Sequence, residues 1–272
     1  MWPLVSAVTA FFDGLIGLFG GMNPLVGLTV VSVLTGGIML VIFRYTSNQE
    51  AIARAKGRIK AYILEVRLFQ DDLGLQMAAQ RRILATNMNY MRHALTPMLV
   101  MLVPVLIILI QLDVRYAHRP FHPGEKTIVK VRLDENADPS ALTMRVPDGL
   151  VAETPPLRIA GEREVDWRIR VEKEGTHELS FDLGGETAMK RVIAGGGLIK
   201  LAQGRYVDGA LALWTHPAEP PLPKDARIRS IEIAYPERNM ALWGVNLHWL
   251  LVFFVVSVVF GFAIKGWVGV EV

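Results

Sequence analysis

The sequence contains no cysteine and comparatively few charged residues. The absence of cysteine excludes thiol catalysis, thiolate metal sites and disulfide bonds from this chain. Charged residues make up 20% of the 272 residues, whereas a soluble domain carries about a quarter. Apolar residues make up 51% and the mean hydropathy is +0.32, so a purely soluble enzyme is excluded.

Motifs for nucleotide or covalent chemistry are also missing. The glycine runs lack the lysine of a phosphate-binding loop, and neither a nucleophile elbow nor a His-Glu-x-x-His motif occurs. His118 and His122 are four residues apart, but Pro120 and Pro123 prevent a regular helix there, so we interpret both histidines as loop residues. His177 is interpreted as a strand residue. We therefore expect no catalytic residue, no metal site and no cofactor, and a protein that is not an enzyme.

Three apolar blocks of about 20 residues are each long enough to cross a hydrocarbon core about 30 Å thick as helices. They predict transmembrane helices at residues 23–44, 94–112 and 243–265. Pro104 lies inside the second block and predicts a kink, because it frees the carbonyl of Val100. Pro97 is placed in the first turn of that span, where proline costs little.

The distribution of basic residues predicts the orientation of these spans. The first 43 residues contain no Lys or Arg, so they lack the basic region of a cleavable signal peptide and we expect them to be retained. Residues 44–93 contain nine basic and four acidic residues, which indicates a cytoplasmic segment. The N-terminus and residues 113–242 are then extracytoplasmic, and the tail at 266–272 is cytoplasmic. This is the pattern of a multi-pass protein of the cell's inner (cytoplasmic) membrane.

Two amphipathic segments accompany the spans. Residues 1–22 predict an interfacial helix in the outer leaflet. Residues 45–93 predict a coiled-coil hairpin that turns at Asp71 and Asp72. The hairpin is either a structural spacer or a methionine-rich surface for apolar partners. Its basic charge reflects either the positive-inside bias alone or contact with anionic lipid or ribosomal RNA.

A period of two in hydropathy marks the region 113–242 as a β domain. Apolar Val165, Trp167, Ile169 and Val171 alternate with polar neighbours, and turn residues separate about seven such runs within 124–194. This spacing predicts an all-β Ig-like sandwich without the cysteine pair of antibody domains. Further strands are predicted at residues 198–202, 210–214 and 228–235.

The order of elements resembles that of the YidC/Oxa superfamily of membrane protein insertases. The likeness is closest to its small three-span branch, which includes archaeal YidC-like proteins and the insertase subunit of the ER membrane protein complex. One stretch that carries the resemblance is residues 42–49, IFRYTSNQ. The other contains LQM at 75–77, NMNYM at 87–91, LTPML at 95–99 and VPVL at 103–106. The chain departs from this branch in its β domain between spans two and three, and in having its arginine, Arg44, at the membrane edge.

The resemblance implies an insertase or membrane chaperone that works without nucleotide hydrolysis. Substrate transmembrane segments would enter the bilayer through a polar groove open to the cytosol. The groove residues it suggests are Thr29, Ser32, Thr35, Arg44, Met77, Met88, Met91, Met98 and Met101. Implied partners are nascent or newly made membrane proteins, the ribosome, the lipid bilayer, and a partner subunit or second copy, but not DNA.

Two alternatives stay open at this point. The hydroxyl residues Thr29, Ser32 and Thr35 are typical of close helix packing as well as of a wet groove. The chain as a whole is alternatively a membrane-anchored scaffold or sensor whose β-sandwich binds an envelope partner or ligand. A polar cavity open to the cytosol would favour the insertase, and a tight dry bundle the scaffold.

Overall fold

The computed structural model describes residues 1–68, 73–159, 161–242 and 245–270. The chain forms two compact units. The first consists of Met1–Gly27 and Ile107–Trp249, and contains the β domain. The second consists of Leu28–Leu106 and Leu250–Val272, and contains most of the apolar helices. The predicted turn at Asp71 and Asp72 lies outside the described residues.

Three helices are long and apolar enough to cross a membrane, which confirms the three apolar helices of the predicted fold and is compatible with a helical membrane part. These spans are Pro24–Thr46, Leu95–Tyr116 and Trp249–Val268, with mean hydropathies of 2.4, 2.5 and 2.2. In chain order the helices are α1 (Trp2–Gly17), α2 (Pro24–Thr46), α3 (Gln49–Leu68), α4 (Leu73–Tyr116), α5 (Ala210–Thr215) and α6 (Trp249–Val268).

The second hairpin arm and the second span form one helix, α4, of 44 residues. The sequence predicted a boundary at residue 94 and placed Pro97 in a first turn, but Pro97 and Pro104 both lie inside α4. No glycine or proline occurs between Gly74 and Pro97 to end the helix. Because one proline removes only one helix hydrogen bond, the preceding run of good helix formers continues through it.

One face of α1 is buried in the first unit. Val5, Thr9, Phe12 and Ile16 recur at helical spacing and are buried, and Pro3 lies in the first turn, where proline is tolerated. The predicted amphipathic segment thus forms a helix that packs on protein along one side.

Eleven strands follow in the described part of the first unit. They are β1 (Lys126–Leu133), β2 (Leu142–Arg145), β3 (Leu150–Ala152), β4 (Leu157–Ile159), β5 (Glu164–Val171), β6 (Gly175–Leu183), β7 (Glu186–Ala194), β8 (Gly204–Tyr206), β9 (Ile228–Ile233), β10 (Met240–Leu242) and β11 (Val245–Leu247). The alternating pattern therefore predicted the strand content of residues 124–194 well, since β1 to β7 all lie there.

Two antiparallel sheets enclose the core of the β domain. The larger has the order β3-β5-β1-β9-β8 with β4 also paired to β5, and the smaller has the order β2-β6-β7. Inward residues of both sheets are buried together, and the rings of Trp167 on β5 and Phe181 on β6 lie 5.8 Å apart between centroids. The strands β10 and β11 form a separate hairpin just before α6, so the third apolar helix begins at Trp249 rather than at residue 243.

The predicted strand at 210–214 is wrong, because these residues form helix α5. Alternating Ala and Leu fit either structure, and both residue types favour helix. Residues 198–202 form no strand either, whereas β9 confirms the strand predicted from residue 228.

Candidate functional site

A cavity of about 490 Å³ lies among the apolar helices of the second unit. Its volume is within the range of about 300–1,000 Å³ typical of ligand sites. Ten apolar side chains from three helices line it: Met39, Leu40 and Phe43 of α2, Met98, Met101 and Val105 of α4, and Phe253, Phe254, Val258 and Phe262 of α6. The cavity therefore fits an apolar occupant.

Two glycines let α2 and α6 approach closely beside this cavity. A Cβ atom at Gly36 would overlap the backbone carbonyl of Ser257, and one at Gly261 would lie 3.8 Å from the carbonyl oxygen of Gly36. Both glycines line the cavity. Small residues in the first span thus serve close helix packing at Gly36.

The hydroxyl groups of the first span do not form a polar groove lining. Ser32 is buried and its Oγ donates to the carbonyl of Leu28 at 2.7 Å. Thr35 does line the cavity, but its Oγ1 donates to the carbonyl of Val31 at 2.7 Å. Thr29 is exposed and lies outside the lining. Because a hydroxyl inside an apolar helix bonds most easily to the carbonyl four residues back, these groups are used locally.

The predicted methionines divide into two groups. Met98 and Met101 line the cavity, as the groove hypothesis requires. Met77, Met88 and Met91 are exposed on the hairpin arm of α4 and do not line it. These three side chains belong to a separate apolar surface.

Arg44 and Pro104 lie close to the cavity in sequence but do not line it. Arg44 is exposed and follows the lining residue Phe43. Pro104 lies inside α4 beside the lining residue Val105, and the kink stays a prediction.

The cavity lining also contains polar side chains from α4 and α6. Tyr90 and Lys265 belong to the lining, and Lys265 Nζ is 5.1 Å from the ring centroid of Phe262, within reach of a cation–π contact. Sequence reasoning missed the α6 wall of the cavity. Its lining positions, from Phe253 to Lys265, recur at steps of three and four, and that period was the available signal.

A second cluster, in the first unit, ties α1 to the end of α4. Arg115 is buried, and its guanidinium donates to the carbonyl of Gln111 at 2.6 Å and to the carboxylate of Asp13. Gln111 Nε2 donates to Thr9 Oγ1 at 2.9 Å, and Lys200 Nζ donates to Asp13 Oδ2 at 2.8 Å. Sequence reasoning did not single out Arg115 as a buried residue.

The electrostatics of this cluster favour an ionised Asp13. Burial raises the pKa of Asp13, but hydrogen bonds from Lys200 and Arg115 outweigh it, and the pKa lies below its ordinary value. A buried guanidinium is stable only with such a partner. The cluster therefore has a structural explanation in full and needs no ligand.

No arrangement for metal binding occurs among the residues that the structure describes, in which no three His, Asp or Glu side chains converge. His118 and His122 lie outside helices, as predicted. His177 lies in β6, as predicted. Its Nδ1 atom is 3.1 Å from the carbonyl oxygen of Asp148, and its Nε2 atom is 2.9 Å from that of Lys173.

Comparison of the chain with family models, curated proteins and solved structures found no match.

Proposed function

We propose that this protein is a membrane protein insertase or chaperone that receives apolar segments of newly made membrane proteins. The observation that carries the proposal is the apolar cavity between α2, α4 and α6, with Met98 and Met101 in its wall. Methionine side chains adapt to apolar surfaces of varied shape. A cavity of this kind suits many different transmembrane segments rather than one ligand.

The physical role of the cavity is to shield an apolar segment from water before the segment enters lipid. Transfer into hydrocarbon is favourable by about 0.8 kcal/mol for each buried CH₂ group, so no nucleotide hydrolysis is needed. Because the cavity wall is mainly apolar, the protein would stabilise the entering span itself. The originally expected polar groove, which would ease passage of a flanking polar segment, has little support in Ser32 and Thr35.

The exposed hairpin residues supply a second surface for the same work. Met77, Met88 and Met91 are exposed on an arm whose sequence is strongly basic. We propose that this arm lies in the cytosol and contacts the emerging chain, the ribosome or anionic lipid. In this orientation the N-terminus and the β domain are outside, the C-terminus is inside, and the protein resides in the cell's inner membrane.

The β domain has an accessory role in this proposal. Its two packed sheets and seven strands between residues 126 and 194 are compatible with an Ig-like sandwich, and we propose this fold class for it. A partner subunit or a second copy of the chain would complete the groove, since three spans enclose little space.

One observation favours the alternative of a membrane-anchored scaffold or sensor. The hydroxyls of Ser32 and Thr35 are bonded within their own helix, as in a bundle that only anchors. In that case the β domain would bind an envelope partner or ligand.

Photo-crosslinking with ribosome-bound chains that carry a nascent span tests the proposal. The probe replaces Met98, and the matched control replaces its neighbour Leu99, since the two are 57% and 65% exposed but only Met98 lines the cavity. A third probe at Met189 reports on the exposed surface of the β domain. We expect crosslinks from Met98 as the span emerges, and few from Leu99.

Equal crosslinking at Met98 and Leu99, or a silent Met98 with stable capture of an envelope protein at Met189, would favour the scaffold.

Filling the cavity provides a functional check in proteoliposomes. Met101→Trp should reduce the insertion of a substrate span several-fold. Leu102 lies outside the cavity lining, so Leu102→Trp should leave insertion unchanged.

A further inference from the structure

The outward face of α1 is apolar and has no protein partner among the described residues. Leu4 and Phe11 are exposed on the helix, and Leu18 is exposed just beyond its end. They recur every seven residues, about 100° around the helix from the buried Val5 and Phe12. A helix that is buried on one side and apolar on the other requires a second apolar environment.

Hydrogen bonds join α1 to the end of the second span. Thr9 accepts from Gln111, and Asp13 accepts from Arg115, which are residues of the last two turns of α4. Close by, a Cβ atom at Gly27, in the first turn of α2, would lie 2.8 Å from the hydroxyl oxygen of Tyr116. The start of the first span, the end of the second span and α1 therefore lie close together within the first unit.

The β domain contacts α1 in two places. Lys200 forms an ion pair with Asp13 at 2.8 Å. The first turn of α1 also lines one groove together with Asp208, Gly209, Ala210 and Leu213. Within α5, which packs next to α1, Leu213 is buried in the domain whereas Leu211 is exposed. Leu211 is therefore an exposed apolar side chain on the short helix that contacts α1.

We infer that α1 and α5 form one lipid-binding surface that seats the β domain on the membrane. Its members are Met1, Leu4, Phe11, Leu18 and Leu211, and its partner is the boundary between headgroups and acyl chains of a phospholipid bilayer. Amphipathic helices bind that boundary through buried apolar area. Within the first unit, α1 is bonded to Gln111 and Arg115 at the end of an apolar helix long enough to cross a membrane, which is why lipid rather than another protein fits the surface. The sequence predicted only α1 at the interface, and this inference does not depend on the insertase proposal.

The absence of cysteine allows a direct test with single-cysteine variants of the full chain, labelled with an environment-sensitive nitrobenzoxadiazole dye. The labelled positions are Phe11 and Leu211, which are 66% and 78% exposed, and the control is Leu157 on β4, which is 62% exposed. The vesicles contain phosphatidylcholine and phosphatidylglycerol, with or without a lipid-attached quencher. Leu4→Cys provides a second probe of α1 in case Phe11→Cys disturbs folding.

We expect blue-shifted emission and strong lipid-dependent quenching at Phe11 and Leu211, and water-like, weakly quenched emission at Leu157. Emission at Leu211 equal to that at Leu157 would overturn the inference for the β domain. A shielded but unquenched dye at Leu211 would also overturn it, because a protein or a second copy would then cover the surface.

Discussion

A buried ion pair in the β domain, Lys190 with Glu219, leads to the sharpest prediction about stability. The side chains are 0% and 5% exposed, and Lys190 Nζ lies 2.8 Å from Glu219 Oε2. Lys190 Nζ also donates to the carbonyl of Ala202 at 2.6 Å, and Glu219 Oε1 accepts from Arg191 Nε at 3.1 Å. Burial lowers the pKa of Lys190, although the Glu219 carboxylate opposes this shift.

The substitution Glu219→Gln keeps the shape of the side chain and removes its charge. Lys190 would then be a buried ammonium group with only neutral oxygen partners. Breaking a buried pair in this way costs about 3–5 kcal/mol of unfolding free energy. The control is Glu135→Gln, since Glu135 is 82% exposed in its pair with Arg163, and such surface pairs contribute at most about 1 kcal/mol.

Hydrogen exchange of the full chain in nanodiscs, read by mass spectrometry, measures the loss at the amides of β7. A loss of about 3–5 kcal/mol speeds globally limited exchange by roughly two to three and a half orders of magnitude. Since the pKa of Lys190 is lowered in the folded state, the unfolded state binds more protons, and stability of the variant should partly recover as the pH rises. The double variant Lys190→Met with Glu219→Leu should exchange nearly as slowly as the unmodified protein.

An effect of Glu219→Gln no larger than that of Glu135→Gln would refute the reasoning. It would mean that water reaches Lys190 in solution and that the pair is solvated.

Two further predictions concern the helices and the entry to the β domain. Gly36→Leu should lower the unfolding free energy of the detergent-solubilised protein by about 1–3 kcal/mol, because a Cβ atom at residue 36 would overlap the carbonyl of Ser257. Gly57 has open space around it, so Gly57→Ala should leave the unfolding free energy unchanged or raise it slightly. Equal losses in the two variants would contradict the close contact at Gly36. The hydrogen bond from Arg119 lowers the pKa of Glu125 to about 2. The ionised Glu125 therefore stabilises the folded state above the ordinary carboxyl pKa, and this stabilisation is lost as the pH falls towards 2. Glu125→Gln should remove the stabilisation by this ion pair, about 1 kcal/mol, and with it part of the fall in melting temperature at acid pH. An unchanged pH profile of the melting temperature would rule out this contribution.

Local patterns predicted the elements of this fold better than their junctions. Hydropathy identified three apolar helices, and the period of two predicted about seven strands in the region that contains β1 to β7, because each signal is local to its element. The junction within α4 was misplaced because proline is read as a boundary, whereas the helix formers before Pro97 continue the helix through it. Residues 210–214 were misread because alternating Ala and Leu satisfy both periods.

The candidate site was only half accessible to sequence reasoning. Met98 and Met101 were predicted from their chemistry, but the α6 wall of the cavity depends on which face of that helix turns inward. Ser32 and Thr35 have side chains that serve a groove or a backbone carbonyl equally well, and local geometry decides. Arg115 was not singled out, because its partner Asp13 lies 102 residues away in the sequence.

The separation of these partners along the chain sets an order of events during synthesis. Asp13 is made first, but Arg115 follows 102 residues later and Lys200 follows 187 residues later. At about 5–20 residues per second, α1 waits roughly 5–20 s for its first charged partner and about twice as long for the second. Helix α1 therefore leaves the ribosome before either charged partner, and its attachment is completed only after most of the β domain has been translated.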